Sequence, residues 1–134
     1  MFGVKQILPE AEVFGIDISQ VAIDRMKKEF GIEGAVLDAY AVDQIGRSFD
    51  FIAANHMLEH LFRDEEFVRK CKDRLNPGGW FYAAVPNDMS GPEDTEEHVR
   101  KYTQGPLCDL VESIFGNFNT RIIGNHLIIW CQKQ

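Results

Sequence analysis

The sequence predicts an α/β fold whose sheet is mostly parallel and closes on an antiparallel hairpin. Three observations carry that prediction. The short, nearly all-apolar runs Phe49 to Ala54 and Trp80 to Val85 suit parallel strands covered on both faces. Between them Phe67, Cys71 and Leu75 recur at i, i+4 and i+8 beside Val68, while Arg69, Lys70, Lys72, Asp73 and Arg74 fill the other face of an amphipathic helix. Near the C-terminus two β-rich runs, Phe118 to Ile123 and His126 to Cys131, are joined by Gly124-Asn125, and glycine first in a two-residue connection suits a type II′ turn.

In chain order, Val4, Ile7 and Leu8 mark the tail of a helix that stops at Pro9. Glu12 to Ile18 is strand-like. Ser19 then caps a helix with the face Val21, Ala22, Met26 and Phe30, and Gly31 closes it. Gly34 to Asp38 is a short strand and Asp43 to Arg47 a polar connection. Asp64 is placed to cap the central helix, and Asn76-Pro77-Gly78-Gly79 to end it, because proline cannot continue a helix and glycine tolerates left-handed geometry. Asn87 to Glu97 is rich in Pro, Gly, Asp and Glu without apolar periodicity, and reads as a loop suited to a mobile lid. From Thr103 the pattern is helical again, with Leu107, Leu110, Val111 and Ile114 on one side and Gly116 as terminator.

A chain of 134 residues with 45% hydrophobic content is expected to form one domain over residues 1–134. Its 21 acidic residues outweigh 14 Lys plus Arg, for a net charge of −7, so general attraction to nucleic-acid phosphates or anionic lipid is excluded and a small-molecule partner is expected. Cys71, Cys108 and Cys131 are odd in number and lack a CxxC spacing, as expected of reduced core residues in a cytosolic protein. No apolar run approaches ~20 residues and the N-terminus lacks the build of a signal peptide, so a cytoplasmic location is expected.

Four segments in this order resemble the class I S-adenosylmethionine-dependent methyltransferases, in particular their small-molecule branch. Val13-Phe-Gly-Ile-Asp-Ile-Ser19 is similar to the family's second strand, and Phe49-Asp-Phe-Ile-Ala-Ala-Asn-His-Met-Leu-Glu-His-Leu61 to its fourth. Leu75-Asn-Pro-Gly-Gly-Trp80 resembles the turn into the fifth, and His98-Val-Arg-Lys-Tyr-Thr103 the segment opening the helix before the last two strands. The resemblance implies a Rossmann-like methyltransferase sheet. It implies that Asp17, with Ile18 beside it, accepts the ribose hydroxyls of S-adenosylmethionine, since a carboxylate offers two acceptor oxygens to two neighbouring donors. On the same resemblance Asp38 meets the adenine amino group, with Ala39 and Tyr40 flanking the ring. Asn55 and His56 leave the fourth strand at its C-terminal edge, where open α/β sheets place ligands, and with His60 lie near the methyl group and its acceptor. An alternative for Asp17 is a cap or first-turn charge for the following helix, and for Asp38 a turn residue.

The family's first strand and glycine-rich loop find no counterpart, since no G-x-G spacing occurs in the sequence. About 30 residues, the size of one strand, loop and part of a helix, are expected to be missing. The expected consequences are weak cofactor binding, no methyl transfer by this chain unaided, and a gap in the sheet. Direct pairing of Val13–Ile18 with Phe51–Asn55 is expected to fill that gap, with a strand from a second copy in a homodimer as the alternative. Two other readings compete. One is a non-catalytic methyltransferase-like module or fragment. The other takes His56-Met-Leu-Glu-His60 as the H-x-x-E-H motif of a zinc metallopeptidase, which needs both histidines on one continuous helix. It ranks below the others, because a five-residue motif matches by chance, and the expectation is no metal, with Glu59 and His60 a helix-start or loop-packing pair. His98 and His126 are expected to contact backbone or solvent.

Overall fold

A computed structural model describes residues 6–88 and 97–134. Residues 1–42 and 43–134 form two compact units. In the first unit β1 (Phe14–Asp17) leads through α1 (Gln20–Phe30) to β2 (Glu33–Val36), a βαβ crossover whose strands pair in parallel with Gly15 opposite Gly34. Ser19 caps α1 as expected, its hydroxyl accepting from the Ala22 N–H at 3.3 Å, and Gly31 ends it in the left-handed conformation with its N–H on the Lys27 carbonyl. The buried residue of α1 is Ile23, whereas Val21 and Phe30, assigned to the apolar face by spacing, are exposed. The face is rotated because Met26 must lie over Gly34: a Cβ there would stand 2.5 Å from the Met26 methyl and 2.6 Å from the Gly15 carbonyl oxygen.

The second unit holds a four-stranded sheet in the order β3-β4-β6-β5, built from β3 (Phe49–Asn55), β4 (Leu75–Pro86), β5 (Asn119–Ile123) and β6 (His126–Gln132). β3 and β4 are parallel and joined by α2 (Asp64–Arg74), and β6 runs antiparallel to both β4 and β5. Phe67, Val68, Cys71 and Leu75 are all buried, in agreement with the helical spacing. α3 (Gln104–Phe115) ends at Gly116 and contributes Leu107, Val111, Ile114 and Phe115 to the same core, where Phe115 stacks on Phe81 at 5.7 Å. The β5–β6 turn has φ +59° at Gly124, and Asn125 is not among the positive-φ residues, the pattern of a type II′ hairpin.

Four expectations are corrected. The proposed pairing of Val13–Ile18 with Phe51–Asn55 does not form: β1 pairs with β2 across the α1 crossover and β3 with β4 across the α2 crossover, each pair closing within one βαβ unit. β3 is not covered on both faces; as an edge strand it buries Ala54 while Phe51, Ala53 and Asn55 are exposed. Asn76-Pro77-Gly78-Gly79 lies inside β4 as an irregularity, since Phe49 pairs with Leu75 but Phe51 already with Trp80. Gly78 (φ +78°) and Gly79 there bond the backbone of Lys133. Asp64 does not cap α2 from outside but is its first residue, drawn into the interior by Tyr102 and Arg100. Residues 89–96, the greater part of the expected lid, and the start of the N-terminal helix lie outside the described residues.

Candidate functional site

In the first unit the C-terminal ends of β1 and β2 stand side by side, Asp17 opposite Val36, so Asp17 and Asp38 occupy neighbouring strand ends. Both are exposed. Asp17 Oδ1 accepts the Ser19 N–H at 2.8 Å, and Oδ2 carries no partner among the described residues. Asp38 Oδ1 accepts the Tyr40 N–H at 2.7 Å and its carbonyl accepts from Ala41, which folds Ala39–Gln44 into a 3₁₀ turn and buries Ala39. Each carboxylate therefore shapes its own turn through one oxygen, on an exposed residue. Ile18 is exposed beside Asp17. The residues of this edge are chemically compatible with a nucleoside, because two exposed carboxylates on adjacent strand ends offer acceptors to a diol and an exocyclic amine.

In the second unit Asn55 is the last residue of β3 and is exposed. His56 follows with φ +50°, a left-handed backbone unusual for a non-glycine residue, and its N–H donates to the Ala84 carbonyl at 2.8 Å. A single 3₁₀ turn, Leu58–His60, comes next. His56 and His60 are thus on no common helix, and the geometry that the H-x-x-E-H peptidase reading requires does not form. β3 runs directly into the motif, and only that single 3₁₀ turn follows it.

His98 and His126 are both half-exposed and so touch solvent, and the four histidines also meet in pairs: His56 against His126 at 4.9 Å and His60 against His98 at 4.8 Å, both edge-on. Between the pairs lies Glu59, 2% exposed, whose carboxylate oxygens have no hydrogen-bond partner; His56 Nδ1 stands 3.2 Å from Oε1, too poorly aligned for a hydrogen bond. His98 is delivered by an extended segment in which His98, Arg100 and Tyr102 turn inward and Val99 and Lys101 outward. That segment is anchored by the Arg100 N–H on the Glu59 carbonyl and the Asp88 N–H on the Tyr102 carbonyl. The role of His98 was missed in the sequence; the alternation of polar side chains along His98-Val-Arg-Lys-Tyr102 is the signal that could have placed it on an inward face.

Residues 3–83, more than half of the chain, match the methyltransferase domain family, and the chain belongs to that family. It is 33% identical over 84 residues to the mitochondrial ubiquinone biosynthesis O-methyltransferase of Saccharomyces cerevisiae, a match covering 58% of this chain and 27% of that protein. An O-methyltransferase family protein from Burkholderia thailandensis superposes with a TM-score of 0.82 at 14% identity, covering 99% of this chain and 47% of that one. The plantazolicin methyltransferase BpumL, solved with a pentazolic desmethylPZN analog and SAH, gives 0.77 at 17% identity, covering 98% and 71%. The fold is therefore Rossmann-like, of the methyltransferase kind. The chain spans about half the length of the Burkholderia protein, and its match about a quarter of the yeast one.

Proposed function

We propose that this chain is part of an S-adenosylmethionine-dependent methyltransferase acting on a small-molecule acceptor. The observation that supports it most directly is the exposed Asp17 carboxylate, whose Oδ2 has no partner among the described residues, on a strand end beside Asp38. In this reading Asp17 holds the ribose hydroxyls, with Ile18, Ala39 and Tyr40 about the nucleoside, and Asp38 accepts from the adenine amine. When bound, the cofactor supplies an activated methyl group on a cationic sulfonium. Asn55, His56 and His60 then serve the acceptor. An imidazole among them is suited to take the acceptor's proton. Family membership and the exposed Asp17 carboxylate support this assignment.

Binding by this chain is expected to be weak, in the high micromolar range. Hydrogen bonds to a charged group contribute ~1.5 to 3 kcal/mol each, which two of them from Asp17 cannot turn into tight binding against the cost of ordering a ligand. Calorimetry with S-adenosylmethionine, S-adenosylhomocysteine and adenosine on wild type and Asp17→Ala tests the assignment. Adenosine should bind little worse than the others, and Asp17→Ala should weaken all three. Nanomolar affinity, or indifference to the loss of Asp17, would sink the site; no binding of any of the three would favour a non-catalytic module. A cytoplasmic location and a homodimer sharing strands along the edge of β3 belong to the same proposal, supported by three unpaired cysteines and by that edge. Among the described residues no helix is long and apolar enough to cross a membrane.

A further inference from the structure

The geometry points to a divalent-metal site formed by Glu59, His60 and His98 in the second unit. One ligand atom from each of the three lies within 4.8 Å of the other two. A metal bound at about 2.0 to 2.2 Å to nitrogen and carboxylate oxygen holds its ligands roughly 3.5 Å apart, so closing the site takes shifts below about 1 Å. Two imidazoles and one carboxylate are the donors of borderline cations such as zinc, cobaltous and ferrous ions, and are poorly matched to calcium or magnesium.

Three further features favour a cation. The Glu59 carboxylate is buried with neither oxygen hydrogen-bonded, an arrangement costly for a charge unless a cation balances it. His60 Nδ1 is 3.0 Å from the Glu97 carbonyl oxygen, which can only accept. Nδ1 therefore carries the proton in the neutral ring, and Nε2 is left bare as a ligand, the usual support of a metal-bound histidine. Finally, a cavity of about 20 Å³ opens beside the cluster, lined by the carboxylates Glu59 and Asp88, by His98 and Tyr102, and by the cationic Arg100 and Lys101. It has room for one water, which suits the open fourth position of a three-ligand site. This is not the peptidase motif: Glu59, the base in that motif, is here a ligand, and His98 replaces His56.

Titration of the chain with Co²⁺, followed by its visible d–d absorption, and with Zn²⁺ by calorimetry tests the inference. Wild type should bind one equivalent of each with no thiolate charge-transfer band. His60→Ala and His98→Ala should each weaken binding at least tenfold, and Cys108→Ala should change it less than twofold. His98 is half-buried on an extended segment, so its loss should leave the circular dichroism unchanged. Should His98→Ala unfold, the wild type decides alone: Zn²⁺ must shift the imidazole resonances of His60 and His98 together at one equivalent. No saturable binding, binding that survives loss of either histidine, or loss of the cobalt signal in Cys108→Ala would overturn the site.

Discussion

Tyr102→Phe is the substitution whose effect the structure defines most closely. Tyr102 is 3% exposed, and its hydroxyl donates to Asp64 Oδ2. Phenylalanine keeps the ring packing, so the change removes one buried hydrogen bond to a carboxylate and little else. Asp64 Oδ1 keeps the Glu65 N–H at 2.9 Å, but Oδ2 is left with Arg100 Nε at 3.2 Å, an ion pair without hydrogen-bond alignment. From a range of ~1.5 to 3 kcal/mol for hydrogen bonds to charged groups, a loss of about 2 kcal/mol follows at pH 7. With a urea m-value of about 1.5 kcal/mol/M this moves the midpoint down by about 1.3 M.

Fluorescence of Trp80 and Trp130, both in the sheet of the second unit, reads that transition. Burial first, and then the bond to Asp64, raise the Tyr102 phenol above its ordinary value near 10. A raised folded pKa means that this stabilisation is complete below pH ~10 and is lost as pH rises through the folded pKa. The gap between wild type and Tyr102→Phe should therefore narrow by about 1.4 kcal/mol per pH unit above ~10. A pH 7 difference below about 0.5 kcal/mol, or a gap that widens at alkaline pH, would refute the reasoning.

Other expectations follow from single contacts. Gly34→Ala places a methyl 2.6 Å from the Gly15 carbonyl oxygen, so β1 and β2 must shift at a cost of about 1 to 3 kcal/mol; amide exchange across Phe14–Asp17 should quicken at least tenfold, and unchanged exchange would be contrary evidence. Phe81→Ala empties a fully buried position stacked on Phe115, and urea unfolding should register a loss of about 3 to 5 kcal/mol. Burial pushes the Cys131 thiol up to about 12 and the Cys71 thiol higher still, so neither should react with a thiol reagent at pH 8 until denaturant is added; labelling of more than one thiol in the native protein would contradict the packing.

Alternation of apolar runs with helical spacings was enough to place all six strands and three helices from α1 onward. Ser19, Gly31 and Gly116 marked helix ends correctly because capping is local chemistry, decided within four residues. The family resemblance, too, was legible, since its words are short contiguous segments such as Val13 to Ser19. Which strand neighbours which was not legible: direct pairing of β1 with β3 was expected to fill the gap left by the family's first strand, yet β1 bonds to β2 and β3 to β4, a balance of chain entropy and edge pairing that no local pattern records. Nor could composition foretell that Leu75 to Pro86 would absorb a Pro-Gly-Gly bend within one strand, because the Lys133 backbone that steadies it is remote in sequence. The same holds for Glu59 and His98. Each is an ordinary polar residue in its own segment, and bonds between remote segments, among them Arg100 to Glu59 and Asp88 to Tyr102, bring the histidine to a buried carboxylate that lacks a donor. Local chemistry set the elements; contacts between residues far apart in the chain set which polar groups share one desolvated space.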